Sequence, residues 1–443
     1  MGPKISIDRK IWGIAWPAIL SNISIPLLGL VDAAILGHLG SPHYLGAVAI
    51  GSALLSFLYW GFGFLRMGTT GLVARAMGAG EPARAHLVLA QSALLALGLA
   101  LLVWLSHPLL LGLGFTLMAP AGDVRPLAES YAGIRIASAP AVLVTYAVVG
   151  WCIGRQDTRR PLLIVVTTNA TNIALDFALI LGLGMNSDGA ALATVIAEYL
   201  GCALALALVW RVQPGLPGGE LRRQLWRWSA YRVLLRSNRH LFVRTVCLLG
   251  GFAFFTAAGD KLGTEVLAAN ALMMQLLLFA AYAMDGFAFA AEGLAGQLLG
   301  AGDEAGFYRA VARCGFWCAL TALLISALFL VAREPLFGLL TDQANLLVLM
   351  REHAPWLVLM PLAAGASYLL DGVFVGSAQT RQMMVTMLVS AALVYLPAWY
   401  LSRDWGNHGL WFAFLLFNAA RGLTLYWCYR RIQRRGGWLA EQP

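Results

Sequence analysis

The sequence predicts an all-α membrane protein with twelve transmembrane helices in two parallel-repeat six-helix bundles. Three observations carry that expectation. The chain is 60% hydrophobic and only 12% charged over 443 residues, whereas an ordinary globular domain is roughly a quarter charged. Twelve apolar windows are long enough to cross about 30 Å of hydrocarbon as helices. The sequence also aligns with itself at an offset of 222 residues.

Taken in order, the first window, 11–36, contains one charge, Asp32, and two prolines, Pro17 and Pro26. A cleaved signal peptide would have a shorter apolar core, roughly 7–15 residues, followed by small residues at the cut. Windows 45–71 and 86–107 flank a glycine-rich turn, 130–153 opens with Tyr131 and Arg135, and 161–182 carries Asn169, Asn172 and Asp176. The sixth window, 189–210, carries Thr194 and Glu198. In the second half, 241–258 contains Arg244, 264–292 contains Asp285 and Glu292, and 310–332 follows. The last three are 346–376 with Asp371, 383–402, and 408–429 with Arg421.

The repeat is ungapped at three anchors. Gly71-Leu-Val-Ala-Arg-Ala-Met-Gly-Ala-Gly80 aligns with Gly293-Leu-Ala-Gly-Gln-Leu-Leu-Gly-Ala-Gly302, with five identities in ten. The same shift places Gly150, Gly154, Thr158 and Arg159 on Gly372, Gly376, Thr380 and Arg381, and Gly37, Leu45 and Ala47 on Gly259, Leu267 and Ala269. Six is even, so the copies point the same way through the membrane, as in transporters that rock two bundles about a central site. The expected organisation is a first lobe at 1–210, a basic amphipathic linker at 211–239 lying on the membrane surface, and a second lobe at 240–443.

With the N-terminus placed in the cytoplasm, 22 of the 31 Lys and Arg fall on the cytoplasmic side and five on the other. The positive-inside rule then puts both termini inside. The formal charge of +9 is thus accounted for by topology, and nucleic-acid binding is not needed to explain it. All six cysteines fall in or beside apolar windows with no Cys-x-x-Cys pair, which points to neither disulfides nor a metal. No nucleotide-binding glycine loop, His-Glu-x-x-His motif or soluble domain of useful size is present, so the chain reads as no enzyme and needs no cofactor.

Topology gives each intramembrane polar residue a depth. Asp32, Tyr131, Arg135, Asn169, Asn172, Asp176, Thr194 and Glu198 fall at similar depth, toward the outer side, in four different windows. Asn169, Asn172 and Asp176 share one helix face. A carboxylate in an apolar span is costly and is by default a functional group. Two in one low-dielectric site resist joint ionisation, which lets a proton or a cation come and go. An Arg135 ion pair with Asp176 or Glu198 that merely joins helices is the plainer alternative. Asp285, Glu292, Asp371, Arg244 and Arg421 fall deeper or toward the cytoplasmic ends, as expected for a salt-bridged inner gate.

These segments resemble the multidrug and toxic compound extrusion (MATE) family, in its branch like DNA-damage-inducible protein F, over essentially the whole chain. The resemblance rests on Pro26-Leu-Leu-Gly-Leu-Val-Asp32, Gly63-Phe-Leu-Arg-Met-Gly-Thr-Thr-Gly71, Asn169-Ala-Thr-Asn-Ile-Ala-Leu-Asp176, Gly189-Ala-Ala-Leu-Ala-Thr194 and Leu370-Asp-Gly-Val-Phe-Val-Gly376. It implies two six-helix lobes in a V, with Asp32, Tyr131, Asn172, Asp176 and Thr194 at the first-lobe cation site and Pro17 where helix 1 bends. The residues themselves leave Pro17 and Pro26 both open as the hinge. Arg244 to Phe255 contains no acid where sodium-coupled branches carry one, which favours proton coupling through the first lobe.

The expected function is proton-coupled export of amphipathic, mainly cationic compounds across a bacterial inner membrane by a monomer surrounded by lipid. Sodium coupling and a lipid-linked precursor flippase are the alternatives. A flippase of the wider superfamily is expected to line its cavity with several basic residues, and the mapped layer offers only Arg135. A major-facilitator transporter is disfavoured because its loop signature is absent after the second window, which reads Ala76-Met-Gly-Ala-Gly-Glu81.

Overall fold

Among the described residues, glycines, prolines and polar caps cut the apolar sequence into twelve long helices. The computed structural model describes residues 6–39, 41–120, 122–213 and 219–439. The first half comprises α1 (Ile7–Gly37), α2 (Pro42–Gly78), α3 (Pro82–Met118), α4 (Arg125–Gly154), α5 (Arg159–Gly182) and α6 (Asn186–Val212). The second comprises α7 (Trp228–Leu262), α8 (Thr264–Gly300), α9 (Glu304–Val331), α10 (Ala344–Gly376), α11 (Thr380–Trp405) and α12 (Asn407–Arg434). The first eleven are long and apolar enough to cross a membrane; α12 matches them in length at 28 residues but is diluted by Asn418, Arg421 and a basic last turn. No strand occurs among the described residues, as expected where lipid cannot satisfy an open sheet edge.

The repeat seen in sequence is also written in the backbone. α2 and α8 begin and end 222 residues apart, and so do the ends of α4 and α10. Left-handed residues recur at the same offset: Gly80 with Gly302 (φ 75° and 73°), Gln156 with Ala378 (63° and 57°), and Gly184 with Gly406 (67° and 57°). Because both copies turn at the same places, the halves pack about a pseudo-twofold axis. α2 lies against α8, α1 lies against α8, and α7 lies against α2.

The two faces of this bundle differ. The face carrying the start of α1 also holds the turns after α2, α4, α8 and α10, with Arg75, Arg155 and Arg381 nearby, and is termed the basic face. On that side glycines bring the halves into backbone contact. A Cβ on Gly78 would lie 2.0 Å from the Gln297 carbonyl oxygen, and one on Gly300 would lie 2.2 Å from that of Arg75. Gly71 faces the Val375 carbonyl (2.1 Å) and Gly293 that of Ile153 (2.8 Å). Each contact of one half thus has its counterpart in the other, and no larger residue fits.

The stretch 211–239 differs from the single amphipathic linker expected of it. α6 runs to Val212, residues 214–218 lie outside those described, and a short helix spans Gly219–Gln224, within which the side chains of Leu221 and Arg222 are also outside the description. The chain enters α7 through a 3-10 turn at Trp228–Tyr231 and is α-helical from Arg232 to Leu262, because nothing there interrupts helical hydrogen bonding. Trp226 and Trp228 are 83% and 79% exposed. Lys4, counted in the orientation argument, is also outside the described residues.

Candidate ion and substrate site

The site in the first half begins with helix irregularities. α5 passes from α-helix into a π-helical stretch at Phe177–Gly182, directly after Asp176. Such bulges re-aim neighbouring side chains and are frequent at functional sites. α4 is broken by a 3-10 turn at Ile136–Ser138, where Pro140 has no N–H for the Ile136 carbonyl. Side chains of α3, α6 and α4 itself supply the missing donors. Trp104 Nε1 donates to Ile136 O (3.0 Å), the Tyr199 hydroxyl to Ala137 O (2.9 Å), and the Ser138 hydroxyl to Arg135 O (2.8 Å). The break is therefore tied down, and it fixes where Arg135 points.

Arg135 binds Glu198 of α6 at 3.0 Å. That pairing leaves Asp32 and Asp176 without a basic partner in contact among the described residues. Their carboxyl groups face each other within hydrogen-bonding reach, while Asp32 Oδ1 and Asp176 Oδ1 are buried and meet no protein donor. Two carboxylates offer only acceptors, so a hydrogen bond between them requires a proton, and a bound cation would serve the same end. Asn172 completes the group. With its amide oriented to satisfy both neighbours, its nitrogen donates to Asp176 Oδ2 (3.0 Å) and its oxygen accepts from the Thr194 hydroxyl (2.9 Å) and backbone N–H (3.1 Å). The structure thus brings Asp32, Asn172, Asp176 and Thr194 together from α1, α5 and α6.

Two residues expected beside them have other partners. Tyr131 hydrogen-bonds Ser52 of α2 at 2.8 Å, and its ring lies against Gly51, where a Cβ would come within 2.5 Å of it. Asn169 donates to the Ser24 carbonyl of α1 at 3.0 Å, close to Pro26. Pro17 and Pro26 both lie inside one continuous α1, so the choice between them as hinge stays open.

The second half corrects the reading of a single charged gate. Asp371 of α10 is held by Arg244 of α7 and by Arg421 of α12 (2.9 Å). All three belong to the same half, so they knit that half together and cannot close it against the other. Asp285 forms no ion pair among the described residues. Of these five residues only Glu292 reaches across, to Arg66 of α2 at 3.0 Å. Arg66 was missed because a lone Arg near a helix end reads as topology, and its partner is 226 residues away. A second crossing was missed for the same reason. Asp8 of α1 accepts two bonds from Arg313 of α9 (2.9 and 2.7 Å) and one from Trp317 (2.9 Å).

Between the halves, away from the basic face, lies a cavity of about 280 Å³. Trp60 of the first half lines it, with Phe252, Phe255, Asn270, Met274 and Gln275 of the second. Its walls are aromatic, thioether and amide, and carry no charge.

The MatE family model matches the chain twice, over residues 17–178 and 241–401, once in each half. The chain belongs to the MatE family. It is 41% identical to DNA damage-inducible protein F of Escherichia coli (strain K12), covering 98% of this chain and 95% of that one. It is 21% identical to the probable multidrug resistance protein NorM of Thermotoga maritima, covering 91% and 87%. In fold it is similar to a point mutant of the Vibrio cholerae MATE transporter VcmN (TM-score 0.86, 23% identity, 98% and 99% covered). A transporter of the MOP superfamily from Pyrococcus furiosus, described as having a binding pocket of reverse polarity, matches with TM-score 0.87 at 18% identity, covering 96% of each chain. MatE members are multi-pass membrane transporters and not enzymes, and the twelve helices here share their fold.

In this MatE chain the Asp371 knot carries a direct expectation. Removing one partner of a buried ion pair costs about 3–5 kcal/mol, because it strands the remaining charge. Asp371→Asn leaves Arg244 and Arg421 facing each other, and thermal unfolding of the purified protein should drop by many degrees. Asp285→Asn, which breaks no pair, should unfold near the wild-type temperature. Equal melting of Asp371→Asn and wild type would show that the two arginines are neutralised in another way.

Proposed function

We propose that this chain is a proton-coupled antiporter that exports amphipathic, mainly cationic compounds across the bacterial inner membrane by alternating access, with both termini cytoplasmic. The single observation that carries the coupling is the Asp32–Asp176 pair: two acids that share a site, have no basic partner in contact and need a proton or a cation between them. The excess of basic residues on the face bearing the termini supports the orientation. Opposite that face, a cavity walled by Trp60, Phe252 and Phe255 suits flat cations, which aromatic faces attract, and Met274 lets the wall adapt to varied shapes. The relatives named for multidrug resistance and DNA damage induction support export as the direction. No pocket residue supplies the basic cluster that a pyrophosphate-linked lipid would need, so the flippase reading gains no support.

In the proposed cycle, a proton arriving from outside neutralises the carboxyl pair, α1 deforms at Pro17 or Pro26, and the substrate is released from between the halves. The glycine contacts and the Arg66–Glu292 pair form the seal on the cytoplasmic side that must then part. The test is transport by purified protein in proteoliposomes, with an imposed pH difference or an imposed sodium gradient. A flat aromatic cation should be moved by the pH difference several-fold faster than an anion of equal size. Transport of anions alone, or driving by sodium alone, would overturn the cation preference or the proton coupling respectively.

A further inference from the structure

We propose that Arg232, Arg236 and Arg239 of α7, together with Trp228, bind the phosphate headgroup of an anionic phospholipid at the basic face. The three arginines follow one another at i, i+4 and i+7 and so lie on one stripe of the helix. They line a hollow of about 440 Å³ with Trp228, Ser229 and Leu235. None of the three makes an ion pair among the described residues, and the sequence holds no Asp or Glu between positions 221 and 259. Arg381 of the neighbouring α11 adds a fourth positive charge within electrostatic reach, beside His240.

The stripe changes character within one turn. Its next positions are Val243 and Val246, and Val246 and the adjacent Phe242 are 49% and 46% exposed. A row of cations that runs directly into exposed apolar surface matches the boundary between headgroups and acyl chains. A soluble anion would use the arginines and leave the valines without a partner, whereas a phospholipid uses both. The repeat does not require this arrangement, since the positions 222 residues earlier are Lys10, Ile14 and Pro17. Trp228, stacked near Tyr231 at 6.4 Å, would sit at the interface where indoles prefer to lie.

The experiment is native mass spectrometry and thermal unfolding of the full chain in detergent, with added phosphatidylglycerol, cardiolipin, phosphatidylcholine or inorganic phosphate. The wild type should retain the anionic lipids several-fold over phosphatidylcholine and melt higher with them, and inorganic phosphate should give no shift. R232Q/R236Q/R239Q should lose the preference and the shift, while R431Q/R434Q, a loss of charge elsewhere on the same face, should keep both. If the triple variant does not insert, Arg236→Gln alone must weaken retention. Unchanged retention by these α7 variants, or a shift reproduced by inorganic phosphate, would overturn the proposal.

Discussion

Asp32→Asn should insert and fold, since it changes no volume, and should lose gradient-driven efflux by about 5- to 150-fold, the range of a coupling free energy of 1–3 kcal/mol. Asp32 faces another acid, Asp176, and its Oδ1 meets no protein donor. An amide in its place can donate to Asp176 permanently, which supplies by covalent chemistry what the proton supplies reversibly. The variant is thereby held in its protonated-like state. Asp176→Asn should lose efflux as severely, and it also disturbs Asn172, whose amide orientation depends on Asp176. Growth protection against a toxic aromatic cation, compared at equal membrane expression, reads both variants. Wild-type efflux by Asp176→Asn would remove that residue from the mechanism.

Gly300→Val and Gly78→Val should each abolish transport by preventing closure at the basic face. A Cβ at these positions would lie 2.2 and 2.0 Å from carbonyl oxygens of the opposite half, and a backbone atom cannot swing away as a side chain can. Because the two contacts are related by the pseudo-twofold, their effects should be alike. Gly98→Val makes the control, as no atom lies within 4 Å of its new Cβ. A cysteine placed near the seam should become more reactive to a membrane-impermeant thiol reagent from the basic side in both seam variants and not in the control. Normal transport by Gly300→Val would show that the close contact is dispensable for the cycle.

The two kinds of site differ in how far the sequence discloses them. Asp32, Asn172, Asp176 and Thr194 stand out because a polar residue in an apolar span is expensive, and its depth can be counted from the helix ends. The repeat was visible because identical turns demand identical glycines, and Gly80 and Gly302 indeed share a left-handed φ. Pairings across the halves were not visible. Arg66–Glu292 and Asp8–Arg313 join residues 226 and 305 positions apart, and no local pattern encodes them. The inner gate read from Asp285, Glu292, Asp371, Arg244 and Arg421 failed as one unit for that reason: depth was legible, but the identity of each partner depended on which helices touch. The 3-10 break in α4 was equally hidden, since Pro140 explains why a carbonyl is freed but only packing brings Trp104 and Tyr199 to cap it and its neighbour.

The central claim, that one proton and the substrate compete through the Asp32–Asp176 pair, is tested most directly by substrate-induced proton release from the purified protein in weakly buffered solution, with and without sodium. Linkage requires that binding of a cation expel the proton and that substrate affinity rise as pH rises through the titration of the pair. Wild type should therefore release protons on adding the substrate, with or without sodium, and Asp32→Asn should bind the substrate with neither release nor pH dependence. Proton release by Asp32→Asn equal to that of wild type would contradict the account, because the proton would then act elsewhere.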